Sequence, residues 1–163
     1  MIESGATLRI KSDKKMKSAS VESILVKAQK MCEQRAVRLT PQRQQVLRLM
    51  AEQKNAISAY DLLDLLRVSE PQAKPPTVYR ALDFLMEQGF IHKIESTNSY
   101  VVCHHVGEPL HTSALFICDS CGQVTEHHAD GIDQLLKALA FKTGFVIQHS
   151  VLETHGTCSN CTK

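Results

Sequence analysis

Two identical pairs, Cys118-x-x-Cys121 and Cys158-x-x-Cys161, have the residue types and spacing in this chain best suited to chemistry. Each pair can place two thiolates about one metal ion, and Gly122 allows the tight turn that a metal knuckle needs. Together they predict a closed tetrahedral four-thiolate zinc site of the structural kind, with no open position for water. The 36 residues between the pairs exceed the usual zinc-ribbon spacing, so intervening elements must return the chain to the first knuckle. Disulfides are the competing reading, as are buried thiol pairs, but a cytosolic chain keeps its thiols reduced and paired cysteines there read first as metal ligands. Cys32 stands alone on an apolar helix face and reads as a core residue.

A second set of donors crowds the stretch from residue 101 to 128, with Cys103, His104, His105, Glu108, His111, Glu126, His127 and His128, and His92 stands just upstream. His92 and Cys103 fall on the two strands of an expected hairpin, whereas His111 and Glu126 fall in the segment that follows it. A metal shared among them would tie two parts of the chain together, which is the geometry of a switch. Spacing alone does not select which four donors belong to it.

The elements that must position these donors are legible as patterns. Ile24, Leu25, Ala28, Met31 and Cys32 recur at helical spacing between Val21 and Val37. Thr40 and Pro41 open a second helix, whose buried stripe is Val46, Leu47 and Met50. Ser58 with Asp61 starts a third in the manner of a capping box. After "SEPQAKPP" the run "TVYRALDFLMEQG" predicts a fourth, with Val78, Leu82, Leu85 and Met86 inward and Gly89 closing it. "FIHKIE" and "SYVVCH", separated by "STN", predict a hairpin where a winged helix keeps its wing. Residues 20–103 thus read as a winged helix-turn-helix domain whose last helix enters the major groove of duplex DNA, with an exposed Arg able to meet a guanine.

Beyond a hinge at 104–110, residues 111–163 read as a small α+β unit in strand, strand, helix, strand order: "ALFIC", "QVTEH", "DGIDQLLKALAFKTG" and "FVIQHSVLETHG". Such a unit buries little apolar surface and needs a metal or a partner subunit for stability. Charge follows the same division. Up to Asn98 there are 16 basic and 11 acidic residues, and from Ser99 onward 3 and 6, within a net charge of +2, so the polyanion-binding half comes first. Residues 1–19 read as a solvated basic tail. No apolar run approaches the roughly 18 to 20 residues that span a bilayer, and no secretory signal opens the chain, so the expected location is the cytoplasm, without a membrane partner.

"LTPQR", "PPTVYRALDFLMEQGFIHKIE" and the doubled Cys-x-x-Cys resemble the ferric uptake regulator family, most closely its zinc-responsive branch, from about Val21 to Cys161. The resemblance implies a homodimer of winged-helix and dimerisation domains that binds operator DNA and represses when loaded with metal, and no catalysis or small-molecule substrate. It implies two zinc ions per subunit: a structural one at Cys118, Cys121, Cys158 and Cys161, and a regulatory one at His92, Cys103, His111 and Glu126. His104 and His127 adjoin these ligands, so a one-residue substitution stays open. For DNA it implies Arg80 reading a base, Tyr60 packing on a thymine methyl or the backbone, and Thr77 and Tyr79 as phosphate or base contacts.

The departures from the family pattern carry information. Iron-responsive members have a His-His-x-Asp-His run before the first knuckle, where this chain has "HTSALFIC". Two imidazoles, a thiolate and a carboxylate suit zinc better than iron or manganese. A sensor of iron, manganese or peroxide is the near alternative to a zinc-sensing repressor of zinc uptake. A zinc nucleobase deaminase is excluded by the missing His-x-Glu before Pro-Cys-x-x-Cys, and a zinc-ribbon adaptor leaves the winged helix unexplained.

Overall fold

The computed structural model describes residues 20–107, 112–148 and 150–162. The expected tail at 1–19, hinge residues 108–110 and His111 lie outside them.

The first helix, α1 (Val21–Gln34), is capped by the Ser20 hydroxyl, which accepts from the Ser23 N–H. It stops three residues short of the expected Val37 because Ala36 turns into the left-handed region at φ 53°. Helix α2 (Pro41–Ala51) has Thr40 as its N-cap and Pro41 at its first position, where the absent N–H costs nothing. A short strand, β1 (Ile57–Ser58), was not legible beforehand. Helix α3 (Ala59–Ser69) follows, and its Ser58 cap both accepts from the Asp61 N–H and donates to the Asp61 carboxylate. Each such cap is worth about 1 kcal/mol.

Helix α4 (Pro75–Glu87) begins two residues earlier than the sequence pattern suggests, on the paired prolines, and ends before Gly89 at φ +72°. Its face of Val78, Leu82 and Leu85 is fully buried against α2 and α3. Strands β2 (Ile91–Ile94) and β3 (Ser99–Val102) form the hairpin, joined by a turn in which Asn98 adopts φ 47°. Asn tolerates that conformation better than most residues do. Strand β1 adds to the far side of β3 through the register Ile57↔Tyr100, giving the order β1-β3-β2. The result is a winged helix with one core running from Ile24 to Val102.

The second sheet has the order β5-β4-β6. Strand β4 (Ser113–Cys118) pairs antiparallel with β5 (Val124–His128) and parallel with β6 (Val151–Gly156). Helix α5 (Asp130–Thr143), ended by Gly144 at φ +67°, makes the crossover. The final strand takes only the second half of "FVIQHSVLETHG". It starts at Val151 because that residue meets Ser113, where β4 itself begins.

Alternation fixes which residues share a face of this sheet. Ser113, Leu115 and Ile117 lie with Val124 and Glu126 on one side and with Val151, Glu153 and His155 on the other. That common face docks on the wing, and its core is small: Ile94 from β2 with Leu115 and Ile117, flanked by Ala56, Val101, Val124 and Val151. The second sheet therefore completes its apolar cluster with residues of the first.

Candidate metal centres and nucleic-acid face

The knuckle after β4 is built by backbone hydrogen bonds. The Gly122 N–H donates to the Cys118 carbonyl, and the Cys118 N–H to the Gln123 carbonyl, while Gly122 takes φ +71°. A matching turn at the C-terminal end has the Cys161 N–H donating to the Cys158 carbonyl. The two turns meet because β6 runs alongside β4 and ends beside Cys118, where the Asp119 N–H donates to the Gly156 carbonyl at 2.8 Å. This explains the long spacing: α5 and β6 fill it and return the chain to the first knuckle.

The four sulfurs of Cys118, Cys121, Cys158 and Cys161 all lie within 4.8 Å of one another. Cys121 Sγ and Cys158 Sγ are 3.8 Å apart. That is far longer than a disulfide of about 2.05 Å and matches the edge of about 3.8 Å for a tetrahedron with metal–sulfur bonds near 2.3 Å. All six cysteines of the chain are free. The Cys158 N–H donates to Cys118 Sγ at 3.3 Å, and with the backbone N–H groups of Cys121 and Ser120 it holds the Cys118 thiol down to about 6. Cys161 is pushed up to about 12, first by its hydrogen bond to Cys158 and then by the one to Cys121. So the set readily supplies one thiolate but resists becoming fully anionic unless a cation shares the charge, which is the chemistry of a soft-metal site.

The second centre lies where the wing meets the other sheet. His92 Nε2 is 2.8 Å from Glu126 Oε1, Cys103 Sγ is 3.6 Å from the same oxygen, and the three donor atoms lie within 4.8 Å of one another. Cys103 follows the end of β3 and its N–H donates to the Phe90 carbonyl, so the backbone holds it beside His92 on the adjoining strand. Glu126 comes from β5, opposite Leu115. Ser113 stands between two of these donors: its hydroxyl is 2.7 Å from Glu126 Oε1 and 3.1 Å from His92 Nε2.

Glu126 is 2 % exposed, an environment that opposes its charge. Burial is the largest influence on it, yet the hydrogen bond and charge of His92, the Ser113 hydroxyl and the His104 N–H together outweigh burial. They hold the carboxyl well below the usual carboxylate range. A buried anion surrounded by imidazole, thiol and hydroxyl fits a divalent cation of borderline softness.

The neighbouring histidines separate cleanly. His104 meets the centre through its backbone N–H, 2.8 Å from Glu126 Oε2. His127 alternates to the opposite face from Glu126 and packs edge-on against Phe116 with ring centroids 5.1 Å apart. His105 and His128 lie against each other with ring centroids 3.8 Å apart and planes tilted by 55°. Sequence reasoning missed Ser113 as a partner of the centre; its position in β4, two residues before Leu115 on the docking face, was the signal available.

On the helix-turn-helix, Tyr60 is 68 % exposed in the first turn of α3, and Arg80 is exposed on α4 beside a partly exposed Tyr79. Thr77 is engaged differently: its hydroxyl accepts from the Lys74 N–H at 3.4 Å and helps to start α4. The second unit shows apolar residues to solvent, with Leu135, Leu139 and Phe141 on α5 and Phe145 and Val146 beyond it.

A winged helix joined to a metal-knuckled α+β unit is the arrangement of a metal-dependent DNA-binding regulator. The model of the Ferric uptake regulator family matches residues 34–155, and the chain belongs to that family. It is 62 % identical to the zinc uptake regulation protein of Escherichia coli (strain K12) over 146 residues, which is 90 % of this chain and 85 % of that protein. A zinc uptake regulator solved in complex with zinc and DNA is also 62 % identical, covering 88 % of this chain and 95 % of that one, with a TM-score of 0.83. XcZur provides two forms for comparison. Holo XcZur, 43 % identical over 85 % of this chain and 96 % of its own, overlies it with a TM-score of 0.78. Apo XcZur, 42 % identical over 87 % and 97 %, reaches 0.50. At near-equal identity this chain overlies the holo form better than the apo form.

Proposed function

We propose that this chain is a zinc-sensing transcriptional repressor of zinc uptake genes, which binds operator DNA as a metal-loaded homodimer. The observation that carries the reading is the position of Glu126: a buried carboxylate on the second sheet lies against His92 and Cys103 of the wing. Any cation held by these three groups links the DNA-reading unit to the unit that sets its orientation.

In this reading each subunit takes two zinc ions. Cys118, Cys121, Cys158 and Cys161 hold the structural one, and His92, Cys103, Glu126 and, from outside the described residues, His111 hold the regulatory one. Bound zinc supplies two positive charges and a tetrahedral preference that the thiolates and the carboxylate satisfy. The protein's own residues do the rest. His104 and Ser113 keep Glu126 ionised and oriented, and the wing is thereby fixed against the second sheet. The winged-helix domain is taken as 20–103, the hinge as 104–110 and the dimerisation domain as 111–163.

Arg80 is assigned to base reading, Tyr60 and Tyr79 to base or backbone packing, and Thr77 to the helix start beside a phosphate. The apolar face of Ile132, Leu135 and Leu139, three residues at i, i+3, i+7 spacing on α5, is assigned to the subunit interface, because exposed contiguous apolar surface marks an association site. The chain acts in the cytoplasm, where its six thiols stay reduced, and among its described residues no helix is long and apolar enough to cross a membrane.

The deciding experiment is a DNA-binding titration against buffered free zinc with wild type and Cys103→Ser. Wild type binds tightly only with zinc, and the variant stays folded and does not bind. Metal-independent binding by both proteins overturns the reading.

A further inference from the structure

Besides the small apolar core, polar groups join the wing to the second sheet at two places, and the candidate metal ligands account for only one. At the other edge of that sheet, on β6, the Glu153 carboxylate accepts from the Glu95 N–H at 2.6 Å and from the Ser96 N–H at 3.2 Å. These are the first two residues after β2, at the start of the wing turn. Two residues further along the same face, His155 Nε2 is 3.0 Å from Ser96 Oγ, and His155 Nδ1 is 2.9 Å from Asp119 Oδ1 in the four-cysteine knuckle. Glu153 is held largely out of solvent, with its side chain 18 % exposed.

We propose that Glu153, backed by His155, is a positioning clasp that grips the wing turn only in the metal-loaded arrangement and so helps to set the zinc level at which the protein engages DNA. The proposal rests on the zinc-sensor reading above. Its logic is geometric. The wing is a hairpin of two four-residue strands, with His92 and Cys103 at one end and the Glu95–Ser96 turn at the other. A carboxylate that accepts two backbone N–H groups fixes the turn in place and direction, which a single apolar contact does not.

The holo-like arrangement of this chain brings both ends of the hairpin onto the second sheet at once, so a rearrangement that separates the two units breaks both contacts together. Contacts that form in the same state are coupled. Whatever free energy the clasp contributes to the closed state appears as tighter zinc binding at the sensor, by reciprocity. His155 and Asp119 extend the clasp to the four-cysteine knuckle. Glu153 and His155 are positioning residues in this account and touch neither metal nor DNA.

The test uses the full-length protein and two variants. Glu153→Gln keeps the shape but removes the charge and turns an NH₂ toward a donor, and Ser96→Ala removes one hydroxyl from the exposed turn. Zinc affinity of the sensor centre is measured by chelator competition without DNA. DNA binding is measured against free zinc on a duplex selected by the zinc-loaded wild type from a random-sequence pool. Glu153→Gln is expected to need roughly tenfold more free zinc in both assays, and Ser96→Ala about two- to threefold more. Dimer mass and the content of tightly held knuckle zinc stay as in wild type. Wild-type zinc affinity in Glu153→Gln overturns the clasp, and should that variant fail to fold, wild-type affinity in Ser96→Ala does so. Failure of the wild type to select any duplex with zinc overturns the functional reading instead, and the chelator competition still decides the clasp.

Discussion

Glu126 and Glu153 are both register partners of one residue, Leu115: the first faces it from β5 and the second from β6. Two carboxylates thus stand on opposite edge strands at one level of the sheet, roughly 10 Å apart across two strand spacings, with a fully buried Leu between them. Glu126 reaches the base of the wing and Glu153 its turn. Docking of the wing is a three-point contact of acid, apolar side chain and acid, and each point can be tested separately.

Ser113→Ala removes the hydroxyl that donates to Glu126 and contacts His92. Groups that orient metal ligands from behind typically contribute 10- to 100-fold in affinity. Zinc affinity at the sensor, read by chelator competition, is expected to fall by at least about tenfold while the secondary structure is unchanged. Unaltered affinity would mean that the hydroxyl does not orient the ligands.

Leu115→Ala opens a cavity in the smallest core of the molecule. A buried Leu→Ala change costs about 2 to 5 kcal/mol, and here much of that loss falls on the contact between the wing and the second sheet. Thermal unfolding should shift downward, and the free zinc needed for DNA binding should rise. An equivalent change in the winged-helix core, Leu47→Ala, is expected to lower stability with a smaller effect on the zinc requirement.

Acid should release the Glu153 contact. Burial opposes ionisation of this carboxyl, but the Ser96 side chain, the N–H groups of Glu95 and Ser96 and the charge of His155 outweigh burial and hold its folded-state value below the ordinary one. The sign follows from that direction. The contact contributes fully above the free Glu value of about 4.3 and is lost as pH falls through the lower folded value. Thermal unfolding followed from pH 7 to pH 3 should show a shallower acid decline for Glu153→Gln than for wild type, and parallel curves would remove the carboxylate from the account.

Leu135→Glu and Leu139→Glu place charges on the exposed apolar face of α5. Neither side chain is buried within one subunit, so the fold is expected to survive while the dimer dissociates. Sedimentation at micromolar concentration measures this directly, and persistence of the dimer in both variants would locate the interface elsewhere.

Most of this architecture was legible in the sequence, for identifiable reasons. Thr40, Ser58 and Gly89 punctuate the helices by local chemistry, and local chemistry is what a sequence displays. The four cysteines were legible because few other arrangements of two such pairs make chemical sense. Strand β1 was not, since two residues carry no periodicity and its existence depends on pairing with Tyr100 and Ser99. Ser113 and Glu153 were missed for a related reason. A Ser and a Glu in strands read as ordinary polar positions until the docking of two sheets shows what they face. The neighbours of the candidate ligands were separable only by register: one residue's difference sends Glu126 to the wing and His127 to Phe116.

The three-residue core beneath the wing has a further meaning. A sheet with ample apolar surface of its own would hold the wing permanently, and no ion could decide the outcome. On the zinc-sensor reading, Ile94, Leu115 and Ile117 are enough to make the two units meet and few enough to leave the outcome to a bound ion. On that reading the smallness of the contact lets a trace nutrient act as a signal, because a balance responds to a small weight only when its arms are already nearly level.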